Sequence, residues 1–139
     1  MFRLLLLTLA LSTNAQGEER EFKINGLISG CSGGYPIHVS LYDEQAWEDM
    51  SPLNVFIVNP KKTDNCQVDY EFVVNDGSYI VAAFEDKNKN NKLDFLFFLP
   101  REPAGFYRKF NGFSAPTFDS LKFNIKSKDY TKADISLGG

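Results

Sequence analysis

The sequence predicts an all-β fold, a single antiparallel β-sandwich of about seven strands. Short stretches alternate apolar and polar residues with a period of two, which is the spacing of a strand with one buried face. Turn-forming residues separate these stretches at intervals typical of hairpins. No segment of useful length carries the 3.6-residue period of an amphipathic helix. These three observations together indicate strands throughout the chain.

The bounds of the predicted strands follow from this alternation, except for one strand that is a continuous apolar run. These strands cover residues 22–28, 37–42, 53–58, 68–74, 78–85, 121–125 and 133–137. We expect Gly26 to interrupt the first strand, and the continuous apolar run at 53–58 to be buried on both faces. Asp76 and Gly77 tolerate positive φ and predict a hairpin between the fourth and fifth strands. One helical turn is expected within residues 43–50.

The first fifteen residues have the layout of a secretory signal peptide. Arg3 gives a positive start, residues 4–11 form an apolar run, and small residues end the segment at Ala15. The alternative, a membrane anchor, needs about 20 apolar residues, and this run is much shorter. We therefore predict a signal peptide at 1–15 and a single β-sandwich domain at 16–139. The mature protein is expected to be secreted or periplasmic, without membrane insertion.

The mature chain is mildly acidic. Loss of Arg3 leaves 14 of the 15 basic residues against 18 acidic ones, a net charge of −4. Nucleic acids and anionic lipid surfaces attract basic proteins, so neither is an expected partner. The expected partner is an extracellular protein or glycan that the sequence does not identify.

Cys31 and Cys66 are the two cysteines of the chain. An even pair in an exported protein favours a disulfide, which would restrict the unfolded chain by about 4 kcal/mol. Two separately packed thiols are the alternative. A metal site built on these cysteines and the single histidine, His38, would have too few ligands.

Residues 86–94, which we call the Asp86 loop, carry the ligand pattern of a calcium site. Oxygen-bearing side chains stand at alternate positions, and a further carboxylate ends the series. Calcium takes six to eight oxygens at about 2.4 Å, which such spacing in a tight loop supplies. The predicted metal ligands are Asp86, Asn88, Asn90, the backbone carbonyl at Lys92, and Asp94. The predicted cofactor is therefore calcium.

The residues around these ligands define the kind of loop. Asn91 stands where glycine usually makes the sharp turn, and asparagine tolerates that conformation. An EF-hand requires a bidentate glutamate at its twelfth position, where Phe97 stands here, so an EF-hand is excluded. Three lysines in the loop lower the cation affinity, which we expect to be on the order of millimolar. The alternative is a metal-free loop of Asx turns.

Residues 95–118 are rich in aromatic side chains. They hold seven of the 13 phenylalanines, and their prolines and glycines prevent a long regular element. One interpretation is a strand at 95–99 followed by a loop packed against the sheet. The other is an exposed aromatic face that binds a partner. In the second case, the ligand-binding residues are Arg101, Phe106, Tyr107 and Arg108, which would hold an anionic or glycan ligand.

The segment from Gly77 to Asp94 resembles the secreted bacterial family called domain of unknown function 2141. In that family a G-x-Y-x-V strand runs into D-x-N-x-N-G-x-L-D, and the same order is present here, with Asn91 in place of the glycine. Later family elements, P-x-E, G-F and P-S-F, are similar to residues 100–102, 105–106 and 116–118. The resemblance implies a transthyretin-like or prealbumin-like sandwich, and the strand pattern is also compatible with an immunoglobulin-like one. The resemblance implies no established activity.

No catalytic constellation is expected. A single histidine excludes hydrolases and dioxygenases that need several. A glycosidase pair among the acidic residues is an alternative, since sequence spacing does not report distance. We therefore predict a secreted non-catalytic module that binds calcium weakly at the Asp86 loop. The alternatives are a recognition module using the aromatic segment, and an enzyme with an unrecognised site.

Overall fold

Two β-sheets form the body of the structure, a computed structural model that describes residues 21–96, 99–108, 115–125 and 130–138. The predicted signal peptide, residues 1–15, lies outside the described residues. The elements are β1 (Phe22–Cys31), β2 (Ile37–Tyr42), α1 (Glu44–Glu48), β3 (Asn54–Val58), β4 (Cys66–Val74), β5 (Gly77–Glu85), β6 (Phe95–Leu96), β7 (Leu99–Pro100), β8 (Ala104–Phe106), α2 (Phe118–Leu121), β9 (Phe123–Ile125), β10 (Tyr130–Lys132) and β11 (Ile135–Ser136).

The first sheet is built around β1. Strand β4 pairs with it antiparallel, and β10 and β11 pair with it in parallel along its other edge. The second sheet has the antiparallel order β3–β2–β5. Strand β8 pairs with the other edge of β5, and β9 pairs with the first three residues of β5. Strands β6 and β7 form a separate two-stranded ribbon.

The core lies between the two sheets. On β4 buried and exposed residues alternate along the whole strand, so one face of the first sheet points inward. Ile24 and Ile28 of β1 belong to the same apolar cluster as Val39 of β2 and Val81 of β5, and all four are fully buried. The predicted all-β sandwich is therefore confirmed.

The number of strands and one pairing direction differ from the prediction. Among the described residues, the two sheets hold four and five strands instead of about seven in total. Strands β8 and β10 span three residues each, which is too short for alternation to be recognised in a sequence, whereas β9 and β11 lie within the predicted strands at 121–125 and 133–137. The parallel pairing of β1 with β10 and β11 makes the first sheet mixed.

Gly26 does not interrupt β1, contrary to the prediction. It pairs with Tyr70 in the ladder between β1 and β4. A Cβ atom on Gly26 would lie 2.2 Å from the carbonyl oxygen of Ala133, because the C-terminal chain passes directly over this position. The glycine therefore allows two backbones to approach closely inside a continuous sheet.

The predicted hairpin at Asp76 and Gly77 is wrong. Strands β4 and β5 follow each other in the chain, but β4 pairs in the first sheet and β5 in the second. Asn75 and Asp76 therefore carry the chain from one sheet to the other. Turn-forming residues report a change of chain direction, whereas the pairing partner is decided by the packing of the whole domain.

Strand β3 is an exposed edge strand, although its continuous apolar run predicted burial on both faces. Within the described residues it pairs only with β2. Phe56 and Val58 pack against the core, whereas Val55 and Ile57 on the other face are 41% and 53% exposed. Hydrophobicity alone does not show whether a neighbouring element covers the second face.

The two short helices are held by their N-terminal caps. Asp43 caps α1 by accepting a hydrogen bond from Ala46 N at 2.8 Å, which confirms the predicted helical turn. Helix α2 was not expected: Thr117 and Ser120 form a reciprocal capping box there. Leu121 consequently ends a helix, although it was predicted to begin a strand.

Cys31 and Cys66 form the predicted disulfide. They face each other at the end of the ladder between β1 and β4, with their Cα atoms 5.3 Å apart. Such a bond persists in oxidising compartments. Among the helices of the described ranges, none has the length and apolar character that crossing a bilayer requires.

Candidate functional site

The Asp86 loop leaves the second sheet at the end of β5. The chain then passes through β6 and β7 and returns to β5 as β8, so the loop belongs to a long connection instead of a simple hairpin. Two backbone hydrogen bonds hold its base: Glu85 N donates to Pro103 O at 2.9 Å, and Arg101 N donates to Asp94 O at 2.8 Å. The two ends of the loop are thereby fixed to the chain that follows it.

Asp86 is fully buried. Its backbone N donates to Pro36 O at 2.8 Å, which ties the start of the loop to the entrance of β2. Its Oδ1 accepts from Asn90 N at 3.2 Å, and its Oδ2 accepts from Asn91 N at 2.9 Å. His38 Nε2 lies 3.3 Å from the same Oδ2. The two backbone donors compensate the desolvation of the carboxylate and hold it facing the loop, whereas His38 Nε2 is itself buried without a hydrogen-bond partner.

His38 reaches the loop from β2. Its ring stacks on that of Phe84, its cross-strand partner on β5, with centroids 4.8 Å apart. The side chain is only 4% exposed, although alternation places it on the face opposite the core. The outer face of the second sheet is therefore covered at this point, which a strand pattern alone does not predict.

Asn88, Asn90 and Asp94 converge within the same loop. Nδ2 of Asn88 and Nδ2 of Asn90 both donate to Oδ2 of Asp94, at 2.8 and 2.9 Å. These two bonds, first that of Asn88 and then that of Asn90, hold the pKa of the Asp94 carboxyl below its ordinary value. The loop thus gathers the four predicted ligand side chains, since Asn90 N also lies 3.2 Å from Oδ1 of both Asp86 and Asn88.

The backbone of the loop turns sharply at two residues with left-handed conformation. Asn91 has φ of 62°, which confirms that it takes the place of the usual glycine. Lys89 has φ of 55°, which the sequence analysis did not anticipate. Lys92 N donates to Asn90 Oδ1 at 3.0 Å. The role of the Lys92 carbonyl as a metal ligand stays a prediction.

Glu85, directly before Asp86, is a buried acid that the sequence analysis missed. Its side chain points to the opposite face, where Oε2 accepts from Ser32 N at 2.6 Å and Oε1 accepts from Ser32 Oγ at 2.7 Å. Lys87 Nζ lies 3.8 Å from Oε1 and over the ring of Tyr35. One of the three loop lysines is therefore drawn away from the loop oxygens. The sequence feature that could have indicated this buried acid is the pair of consecutive acidic residues at the end of an apolar strand.

Acidic groups alone do not complete a metal site in this region. Within the described ranges, no group of three or more His, Cys, Asp or Glu side chains is arranged to hold a metal ion. Both carboxylate oxygens of Glu102 are buried without a hydrogen-bond partner, which marks a second polar position in this connection. Any cation in the Asp86 loop therefore needs amide and backbone oxygens as well as carboxylates.

Two of the four residues predicted to bind a ligand pack in different apolar clusters. Phe106 packs in a smaller apolar cluster with residues of α1 and α2, whereas Tyr107, the next residue, packs against the main core. Arg101 and Arg108 are exposed. Ligand binding by these residues stays a prediction. Four further phenylalanines of the segment, at positions 97, 98, 110 and 113, lie outside the described residues.

Comparison with known proteins identifies a family for most of the chain. Residues 32–133 match the model of the family described as uncharacterized protein conserved in bacteria (DUF2141). This region includes β2 to β10 and the whole Asp86 loop. No curated protein and no solved structure matches the chain, so the transthyretin-like or immunoglobulin-like detail of the sandwich stays a prediction. Because the matched residues are more than half of the sequence, the chain belongs to the bacterial family DUF2141.

Proposed function

We propose that this protein is an extracytoplasmic, non-catalytic β-sandwich module whose Asp86 loop binds calcium weakly. The calcium proposal is carried by the convergence of Asp86, Asn88, Asn90 and Asp94 in one loop. Because the backbone bonds at its base fix the loop ends, little chain entropy needs to be lost on binding.

The chemistry of these donors fits calcium. The carboxylates of Asp86 and Asp94 supply negative charge. If the side-chain amides of Asn88 and Asn90 rotate by about 180°, each presents its Oδ1 at the position where its Nδ2 now faces Asp94. On calcium binding, Asn88 and Asn90 would therefore lose their hydrogen bonds to Asp94 and coordinate the ion through their side-chain oxygens. Magnesium demands a rigid octahedron and gives up its waters reluctantly, so we expect it to bind poorly.

The proposed location outside the cytoplasm is supported by two features. The predicted signal peptide at 1–15 directs export, and the bond between Cys31 and Cys66 suits an oxidising compartment. Millimolar calcium affinity is also typical of extracellular modules.

The non-catalytic assignment is supported by the roles of the buried acids. Glu85 is bound by Ser32, and Asp86 by backbone groups of its own loop, so both carboxylates have structural partners. We place recognition of a protein or glycan by the aromatic segment second, because Phe106 and Tyr107 pack in two different clusters.

Thermal unfolding in calcium tests the proposal. With a dissociation constant of about 1 mM, 10 mM calcium stabilises the folded state by about 1.4 kcal/mol, which raises Tm by about 5 °C. We expect no comparable shift with 10 mM magnesium. Differential scanning calorimetry at constant ionic strength measures both.

Two variants sharpen this measurement. Asp94→Asn removes a loop carboxylate and should abolish the calcium shift. Asp69→Asn removes an exposed carboxylate on β4, in the first sheet, and should retain it. An equal shift in magnesium, or a full shift in Asp94→Asn, would refute calcium binding at the loop.

A further inference from the structure

Strand β3 offers an open edge of the second sheet that lacks the usual protection. Within the described part of the chain it pairs with β2 alone, in an unbroken register from Ile37↔Val58 to Leu41↔Asn54. Its five residues, Asn54–Val58, include no charge and no proline. Natural edge strands are commonly protected by charged residues, prolines or bulges, so this one is suited to pair with another strand.

The outer face of this edge is apolar and exposed. Val55 and Ile57 are 41% and 53% exposed, and Leu53, just before the strand, is 54% exposed. Met50, earlier in the connection from α1 to β3, is 84% exposed. Exposed apolar side chains at alternate positions beside an open edge are typical of an interaction surface.

The geometry points to a second copy of this chain as the partner, with the two β3 strands pairing antiparallel across a two-fold axis. In the register centred on Phe56, Val55 of each copy faces Ile57 of the partner subunit. Both cross-strand pairs are then apolar and β-branched, which favours pairing. The two second sheets become one continuous sheet, and the symmetry closes the assembly at a dimer.

The charges at the two ends of β3 favour this partner and this orientation. Glu48 and Asp49 precede the strand, Lys61, Lys62 and Asp64 follow it, and all five are exposed, so the first end is acidic and the second carries a net basic charge. Antiparallel pairing sets the acidic end of one copy against the basic end of the other, at both ends of the interface. Parallel pairing would set like charges together, which disfavours association.

Sedimentation equilibrium of the wild-type protein between about 1 and 300 µM tests the dimer. We expect the mass to double with concentration, and Ile57→Lys to remain monomeric because it places two charges on the shared face. Val73→Lys is the matched control, since Val73 is also 53% exposed but lies on β4 in the first sheet. It should dimerise as the wild type does.

Three results would overturn the proposal. These are a wild-type protein that stays monomeric at 300 µM, an Ile57→Lys variant that dimerises normally, or a Val73→Lys variant that is equally monomeric. The first would assign the edge to a different protein. Circular dichroism of each variant checks that the fold is retained.

The double variant Lys61→Glu/Lys62→Glu tests the orientation. In the antiparallel dimer it sets acid against acid at both ends, so the dissociation constant should rise about three- to tenfold. Mixing it with Glu48→Lys/Asp49→Lys should restore association, because each acidic end then meets a basic one. An unchanged dissociation constant in the first variant would overturn the antiparallel arrangement.

Discussion

Glu85 and Asp86 show how neighbouring residues acquire different surroundings. Strand alternation sends their side chains to opposite faces of the second sheet, and both are fully buried. Glu85 accepts its hydrogen bonds from Ser32, 53 positions away, whereas Asp86 accepts them from its own loop. Buried carboxylates are tolerated where such donors are supplied, so each acid depends on the loop that surrounds it.

Tyr70 makes stability depend on pH in the alkaline range. Its side chain is buried and its hydroxyl donates to the carbonyl of Ala133. Burial raises the pKa of the phenol above its ordinary value of 10.0, and Asp134 and Tyr107 raise it further. The unfolded chain therefore loses this proton first, so the stability contributed by Tyr70 is complete below pH 10 and is lost as the pH rises above it.

We accordingly expect Tyr70→Phe to be less sensitive to alkali than the wild type. At pH 7 the variant should be about 1 kcal/mol less stable because the hydrogen bond is lost. That difference should shrink between pH 10 and pH 11. Urea unfolding at several pH values measures it, and two parallel stability curves would contradict the role assigned to Tyr70.

At the scale of the element, β1 depends on the close passage of the C-terminal chain. Gly26→Ala would place a methyl group 2.2 Å from the carbonyl oxygen of Ala133, a backbone atom that cannot move without disturbing β10 and β11. We expect a loss of about 3 kcal/mol in the free energy of unfolding. Chemical denaturation measures the loss.

Gly34→Ala provides the matched comparison. A Cβ atom there meets only the Cβ of Lys62, at 3.8 Å, so its cost is the strain of φ at +81°, about 1 kcal/mol. If the two variants lose the same free energy of unfolding, the close approach of the Ala133 carbonyl does not explain why position 26 is a glycine.

At the scale of the whole molecule, the disulfide restrains more than the two strands it joins. Cys31 and Cys66 both lie in the first sheet, but the chain between them, a sequence separation of 35, includes β2 and β3 of the second sheet. Closing this loop restricts the unfolded chain by about 4 kcal/mol. The cross-link therefore favours assembly of both sheets.

Replacing both cysteines by alanine should consequently lower the free energy of unfolding by about 4 kcal/mol. The wild type in excess dithiothreitol should show a similar loss, measured by guanidinium denaturation. Equal stability of the oxidised protein and the double variant would contradict a stabilising role of the bond.

Local pattern was sufficient for the features that depend on nearby residues. The alternation on β4, the helical turn after Asp43, and the left-handed turn at Asn91 all follow from the backbone preferences of a few residues. The ligand spacing of the Asp86 loop is likewise local, and the structure gathers those side chains. The cysteine pairing was predictable because the chain has only two cysteines.

Tertiary structure decided everything that depends on which distant segment lies alongside. It assigned β4 and β5 to different sheets, left one face of β3 exposed, and brought β10 and β11 against β1 through the gap at Gly26. It also placed His38 beside Asp86. The physical reason is that strand pairing and burial are determined by the free energy of packing the whole domain. The periodicity of apolar residues along one strand does not indicate which other strand pairs with it.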